Sequence, residues 1–161
     1  GPGINKNEKI MDAPIEMIDI YPTLMDLTGK KTPSFVFGKS FASLLKDSSK
    51  RVRKSALTEL IIGSKDDAVQ GYSIKTNRYR LTQWGENGIH GYELYDHKFD
   101  KLELNNLADE EAYRVLKDSL KKVIRDRIAD ARKIPDGIGQ QNIPKETGEP
   151  KPIYSQPKSK F

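Results

Sequence analysis

The sequence predicts an α+β fold in which a small antiparallel β-sheet packs against a C-terminal amphipathic helix. Two observations support this prediction. Apolar and polar residues alternate along short runs between residues 56 and 96, which is the period of half-buried strands. Residues 109–131 instead carry apolar side chains at steps of three and four, which is the period of a helix with one buried face.

The N-terminal part has helical periodicity. Gly1 to Lys9 is polar and is expected to form a loop or arm. A helix is predicted at about Tyr21 to Thr28, because Pro22 suits a first helical turn and Gly29 suits the position after a last turn. Its shared apolar face consists of Ile20, Leu24 and Leu27. A second short helix is predicted within Gly38 to Lys46, where Phe41, Leu44 and Leu45 are spaced three and four residues apart.

A charged linker, Asp47 to Lys54, separates this part from the predicted sheet. Strands are predicted at 56–62, 71–76, 79–84 and 92–96. The two residues Asn77-Arg78 lie between two alternating runs, which indicates a hairpin. Gly85 to Gly91 forms a glycine-containing loop before the last strand.

The predicted long helix ends where Pro135 and Gly137 follow it, and residues 135–161 are expected to be an extended or disordered tail. Acidic residues at its start and basic residues at its end both suit the helix dipole. Its apolar stripe consists of Ala112, Val115, Leu116, Leu120, Val123, Ile124 and Ile128.

Composition limits the classes of function. The chain has 28 Lys and Arg against 23 Asp and Glu, and the small excess lies partly in the tail, so a solvated surface is favoured over a nucleic-acid interface. Nucleic acid is therefore not expected as a partner. No apolar run is long enough to cross a bilayer, so a membrane is not expected as a partner either. The sequence contains no cysteine, which excludes disulfides, thiolate nucleophiles and cysteine-based zinc sites.

Few residues suggest catalytic chemistry. Asp96, His97 and Asp100 form the one cluster with metal-ligating side chains, but a polar turn after a strand explains it better. Trp84 is able to stack on a ligand ring, although on an alternating strand it would more often fill a core. These residues alone predict only a small α+β module.

Several segments occur together in an order that resembles one family. They are Pro2-Gly3, the run Ala13 to Gly29 with its Asp and Pro-Thr-Leu, Gly38-Lys39-Ser40-Phe41, Gly71 to Trp84, and Glu93-Leu94-Tyr95-Asp96 followed by Asp100, Glu103, Asn106 and Leu107. In this order they resemble the C-terminal region of the sulfatase family, most closely its iduronate-2-sulfatase-like branch. Lys101 stands where the family pattern has proline. The resemblance runs from Pro2 to about Ala129.

The resemblance implies that residues 1–48 are the helical C-terminal end of an alkaline-phosphatase/sulfatase-like α/β catalytic domain, and that residues 49–134 are the sulfatase C-terminal subdomain. It also implies a larger parent enzyme that hydrolyses sulfate esters, with sulfated carbohydrates as the expected substrates. Family members use a formylglycine, made from a Cys or Ser that begins a Cys/Ser-x-Pro/Ala-x-Arg motif, beside a calcium ion. This chain has no cysteine, and none of its serines begins such a motif.

The resemblance therefore carries no catalytic or metal-binding residue over to this chain. The nucleophile and the calcium ligands are expected in a missing N-terminal catalytic part, which would be the chain's main partner, and the chain alone is expected to be inactive. The family suggests a periplasmic, secreted or lysosomal-type compartment. Because its apolar face would pack on that missing part, the segment before Ser48 is expected to be poorly tied down without it.

Trp84 and His90 are the candidate substrate-binding residues. The loop between them follows the hairpin that most resembles the iduronate-2-sulfatase-like branch, and loops on a rigid sheet often carry binding residues. Trp84 would stack on a sugar ring and His90 would donate to a sulfate or a carboxylate. Two alternatives remain open, namely a stand-alone carbohydrate- or polyanion-binding module and a scaffold without a ligand.

Overall fold

A computed structural model describes residues 12–64 and 67–133. The predicted arm Gly1–Lys9, the tail 135–161 and Pro2-Gly3 lie outside the described residues. The elements, in chain order, are a 3-10 turn at Met17–Asp19, α1 (Ile20–Leu27), α2 (Ala42–Lys46), β1 (Ala56–Ile62), β2 (Val69–Lys75), β3 (Tyr79–Trp84), a 3-10 turn at Glu86–Gly88, β4 (Tyr92–Asp96), a 3-10 turn at Glu111–Tyr113 and α3 (Arg114–Ala131).

The four strands form one antiparallel sheet in the order β1-β2-β3-β4. Three of the predicted strands have the predicted bounds, whereas β2 begins two residues early because Val69 pairs with Ile62. The predicted hairpin turn is confirmed, since Thr76 donates its backbone N–H to the carbonyl of Tyr79 at 2.8 Å and Lys75 pairs with Arg80. Each strand therefore neighbours the next one along the chain, as a meander requires.

Helix α3 packs on one face of this sheet and closes the core. The core contains Tyr72, Ile74, Leu81, Leu94, Ala108, Leu120 and Ile124. This confirms the predicted two-layer α+β arrangement. The helix nevertheless begins at Arg114 and not at Asp109, because Leu107 still donates its backbone N–H to the carbonyl of Leu94 at 2.8 Å. Val115 is 78% exposed, so its place in the predicted apolar stripe is wrong.

Helix α1 lies where the sequence predicts it. Its residues Pro22 and Thr23, and Asp19 just before it, are buried against the rest of the chain, whereas the predicted apolar face of Ile20, Leu24 and Leu27 is exposed. The exposed apolar residues of this segment are Ile15, Met17, Ile18, Ile20, Tyr21, Leu24, Leu27, Phe35 and Phe37, which we call the apolar face. The apolar face is thus left open to solvent within this chain.

The residues before α2 are not helical, because they cross α1 in an extended segment. Lys39 donates its backbone N–H to Asp19 Oδ1 at 2.7 Å, and Phe41 donates to Thr23 Oγ1 at 2.9 Å. A Cβ on Gly38 would lie 1.9 Å from the carbonyl oxygen of Ile18, so only glycine fits this crossing. None of the helices in residues 12–64 and 67–133 has the length and apolar character needed to cross a membrane.

Candidate functional site

A buried ion pair connects the N-terminal segment to the residues that precede the sheet. Arg53 donates from Nε to Asp19 Oδ2 at 2.7 Å and from Nη2 to Asp19 Oδ1 at 2.5 Å. Asp19 is completely buried and Arg53 is 6% exposed. Burial by itself would raise the pKa of Asp19, but the hydrogen bonds from Arg53 and from the backbone of Lys39 and Glu16 outweigh it and hold the pKa below its ordinary value.

Glu16 extends this pair to the sheet and to α3. Its Oε1 accepts the backbone N–H of Leu57 at the start of β1 at 2.8 Å and a hydrogen bond from Arg127 Nη2 at 2.5 Å. Its Oε2 lies 3.2 Å from Arg53 Nη2. Glu16, Asp19, Arg53 and Arg127, together called the ion-pair cluster below, therefore hold α1, β1 and α3 against one another.

The ion-pair cluster was not predicted from the sequence. Arg53 lies in the segment that was read as a charged linker, yet it is buried and pairs with a residue 34 positions earlier. The segment before Ser48 was expected to be poorly held without a partner, and that expectation did not take the bonds of the ion-pair cluster into account. The available signal was the pair of acidic residues, Glu16 and Asp19, within a run that is otherwise rich in apolar residues.

The polar turn after β4 uses its charged groups for structure. Asp96 accepts two hydrogen bonds from Arg78, at 2.8 and 2.6 Å, and these lower its pKa despite its burial. Asp100 accepts the backbone N–H of Asn105 at 2.8 Å, and His97 bonds to Glu103 through Nε2 at 2.5 Å. Within the described residues no three metal-ligating side chains come together.

Trp84 lies on the face of the sheet opposite α3 and not in the core. Its six-membered ring sits above Gly71, where a Cβ would come within 2.7 Å of Cζ3. The indole Nε1 donates to Glu93 Oε1 at 3.1 Å, which fixes the rotation of the ring. Because Gly71 on β2 has no side chain, the indole of Trp84 on β3 can lie against its backbone, and the bond to Glu93 on β4 holds it there. The indole is half-buried in this position.

A groove of about 240 Å³ borders this indole. Arg80 and Glu103 pair across it, with Arg80 Nε 3.2 Å from Glu103 Oε1, and Lys75 contacts His97 Nδ1. The groove is lined by Thr58, Leu60, Ser73, Lys75, Arg80, Thr82, Trp84, Glu93 and Glu103. The alternation of Arg80, Thr82 and Trp84 along β3 was the sequence signal for this polar face, but the contributions from β1, β2 and β4 depend on strand register.

His90 is exposed on the loop after β3 and is not among the described side chains that line the groove. It is joined to Trp84 through the backbone, where its N–H donates to the Trp84 carbonyl at 3.1 Å. Gly88 has a φ of +79° and packs against the ring of Tyr92, so this glycine serves the folding of the loop. A backbone hydrogen bond thus joins the two predicted substrate-binding residues, but their side chains do not line the same groove.

Comparisons with known proteins agree on a single family. Residues 2–130 match the family model described as N-sulphoglucosamine sulphohydrolase, C-terminal. A Delta 4,5-hexuronate-2-O-sulfatase of Bacteroides thetaiotaomicron is 32% identical over 116 residues, which cover 70% of this chain and 24% of that protein.

Solved structures give the same result. The structure of a 2-O GAG sulfatase superposes with a TM-score of 0.72 at 28% identity, covering 83% of this chain and 29% of that one. A second structure, of an enzyme in complex with its substrate D-glucosamine-2-N,6-O-disulfate, has a TM-score of 0.53 at 25% identity and covers 71% of this chain and 25% of that one. The chain spans about a quarter of the length of these relatives. It belongs to the sulfatase family and corresponds to the family's C-terminal domain.

Proposed function

We propose that this chain is the C-terminal part of an enzyme that hydrolyses sulfate esters of sulfated carbohydrates, and that the catalytic nucleophile and a calcium site lie in a part of the enzyme outside this chain. The observation that carries this proposal is the match to the sulfatase C-terminal domain over residues 2–130, together with coverage of only about a quarter of the related enzymes. The relatives named above act on a sulfated hexuronate, a GAG or a sulfated glucosamine, which supports a sulfated saccharide as substrate.

The apolar face supports a docking role for the N-terminal segment. Met17 is 82% exposed and Leu24 is 56% exposed, although both lie beside well-ordered polar contacts. Exposed apolar side chains grouped in one segment in this way indicate an interaction site. In this proposal residues 1–48 complete the catalytic α/β domain, and the apolar face packs against its remainder.

A domain exchange tests the docking role. The C-terminal domain of the Bacteroides hexuronate-2-O-sulfatase is replaced by this chain, and desulfation of a 2-O-sulfated unsaturated disaccharide is measured. We expect activity in the exchanged enzyme, and loss of activity with Leu24→Asp because the substitution places a charge in the docked surface. Val115→Asp is the matched control, since Val115 is 78% exposed on α3, away from the apolar face. Equal activity of the two variants would refute the docking role.

The chain alone provides the complementary test. It is expected to hydrolyse no aryl sulfate above the buffer control, because its sequence contains no formylglycine motif. Hydrolysis by a preparation free of host sulfatase would contradict the proposal that the nucleophile lies outside this chain.

In the assembled enzyme the loop between Trp84 and Tyr92 is proposed to lie near the rim of the active site, with His90 donating to a sulfate or carboxylate of the saccharide. The exposure of His90 on a loop held by the sheet supports this role. His90→Ala is expected to lower kcat/KM on a sulfated saccharide and to leave a small aryl sulfate unaffected. Equal kinetics on both substrates would exclude His90 from the site.

A further inference from the structure

We propose that the groove beside Trp84 is a non-catalytic subsite for one sugar ring of a sulfated oligosaccharide, with the indole under the ring and Arg80 and Lys75 facing its anionic substituent. This inference rests on the proposed function, because it specifies how the C-terminal domain would hold the saccharide. It concerns the open face of the sheet and is separate from the contact proposed for His90.

The indole of Trp84 is held in one orientation before any ligand binds. An aromatic side chain contributes most as a stacking surface when it loses little freedom on binding. Trp84 meets this condition, because its ring lies on the bare backbone of Gly71 and its Nε1 is bonded to Glu93. The groove is smaller than the usual drug-sized pocket, and its size suits one ring better than a longer segment.

The charges that line the groove also favour an anionic ligand. The side chain of Arg80 is 40% exposed; its Nε lies 3.2 Å from Glu103 Oε1, and its Nη1 donates to Glu103 Oε2 at 3.5 Å. A guanidinium carries five N–H donors, so others remain for a ligand. Burial lowers the pKa of Lys75 and repulsion from the positive charge of Arg80 lowers it further, while the carboxylate of Glu103 offsets part of this repulsion. An anion placed between two cations that repel each other relieves that repulsion.

Polar groups of several kinds surround the indole ring of Trp84. Glu93 and Glu103 supply acceptors for sugar hydroxyls, and the hydroxyls of Ser73 and Thr82 line the floor of the groove. A small set of fixed polar groups beside an aromatic surface is the usual composition of a specific ligand site. A surface that bound polyanions by charge alone would not need the fixed indole.

The experiment uses the chain as it is, because Trp84 is its only tryptophan and its emission reports the groove directly. A sulfated glycosaminoglycan tetrasaccharide is titrated, and its chemically desulfated form, sodium sulfate and polyglutamate are titrated in parallel. We expect a saturable change in emission with the sulfated tetrasaccharide and several-fold weaker binding of the desulfated form. No response to the sulfated tetrasaccharide, or an equal response to polyglutamate, would overturn the subsite.

Variants measured by calorimetry separate stacking from charge. Trp84→Ala is expected to weaken binding about fivefold, since a stacked aromatic contact contributes about 1 kcal/mol, whereas Trp84→Phe should retain most of the affinity. Arg80→Gln is expected to weaken binding about tenfold through loss of a charge-assisted hydrogen bond. Lys122→Gln removes the same charge from an exposed position on α3 and should change affinity less than about twofold. Equal effects of Arg80→Gln and Lys122→Gln would overturn the charge assignment.

The result is independent of the domain exchange. An exchanged enzyme that desulfates its substrate, combined with a flat tetrasaccharide titration, refutes only the subsite. A saturable titration combined with an inactive exchanged enzyme supports the subsite and counts against the enzymatic role.

Discussion

Replacing Arg53 by methionine tests whether the ion-pair cluster holds the N-terminal segment. The substitution keeps an unbranched apolar side chain in the space but removes the one charged partner of Asp19 among residues 12–64 and 67–133. Because Asp19 is completely buried, its carboxylate would be left without a counter-charge. Breaking a buried ion pair by removing one partner costs about 3–5 kcal/mol.

The expected magnitude lies at the lower end of that range. Asp19 would keep two backbone hydrogen bonds, from Lys39 at 2.7 Å and from Glu16 at 2.9 Å, and these partly compensate its charge. We therefore expect the free energy of unfolding to fall by about 3 kcal/mol, which is a large fraction of the stability of an ordinary domain. The measurement is urea denaturation followed by circular dichroism, combined with hydrogen exchange of residues 12–48.

The control is Arg114→Met, which removes an exposed arginine bonded to Glu111 at 2.8 Å and should change stability by less than about 1 kcal/mol. Arg53→Met combined with Asp19→Asn should be less destabilised than Arg53→Met alone, since asparagine leaves no buried charge. If Arg53→Met lowers stability no more than Arg114→Met does, the ion-pair cluster does not hold the segment.

The pH dependence gives an independent check. The pKa of Asp19 in the folded state is lowered, so its contribution to stability is present above the unfolded pKa near 3.8 and is lost as the pH falls through the folded value. In Arg53→Met burial acts without the arginine and raises the folded pKa. That variant should then lose less stability than the native chain on acidification, and an identical acid profile would contradict the assignment.

Three further predictions concern packing and charge. Gly38→Ala should lower stability by about 1–3 kcal/mol in urea denaturation, because its Cβ would overlap a backbone carbonyl 1.9 Å away, and no change would refute the close crossing. Ile124→Ala should cost about 3 kcal/mol, and Val115→Ala, at an exposed position of the same helix, less than about 0.5 kcal/mol; equal costs would disprove the assigned core face. Arg78 holds the folded pKa of Asp96 below 3.8, so the native chain loses the stability contributed by this ion pair as the pH falls. Asp96→Asn should therefore lose less stability than the native chain below pH 4. An unchanged dependence of the denaturation midpoint on pH would contradict this.

Alternation along β3 places Trp84 on the same side of the strand as Arg80, and in the structure both border one groove. His90 was predicted as a second substrate-binding residue, and its role stays a prediction. Glu93 and Lys75 were not identified as groove residues, because their positions beside Trp84 depend on how β4 and β2 pair with β3.

The sequence by itself determined the sheet and the long helix. Periods of two and of three to four residues are local properties, and a segment that buries one face shows them wherever its partner lies. That is why three strands have their predicted bounds and α3 ends at Ala131 as predicted. The start of α3 was misplaced because Leu107 is hydrogen-bonded to Leu94, which is distant in sequence, and a turn and the 3-10 turn Glu111–Tyr113 separate it from the helix.

Only the tertiary structure decided how the N-terminal segment is attached. The local pattern of α1 assigns its apolar side to the interior, but within this chain the interior is occupied by Asp19, paired with Arg53. Periodicity records which side chains prefer burial and not which surface will bury them. A buried charge is stable only when a counter-charge lies beside it, and a counter-charge from a residue distant in sequence comes into contact only when the chain folds.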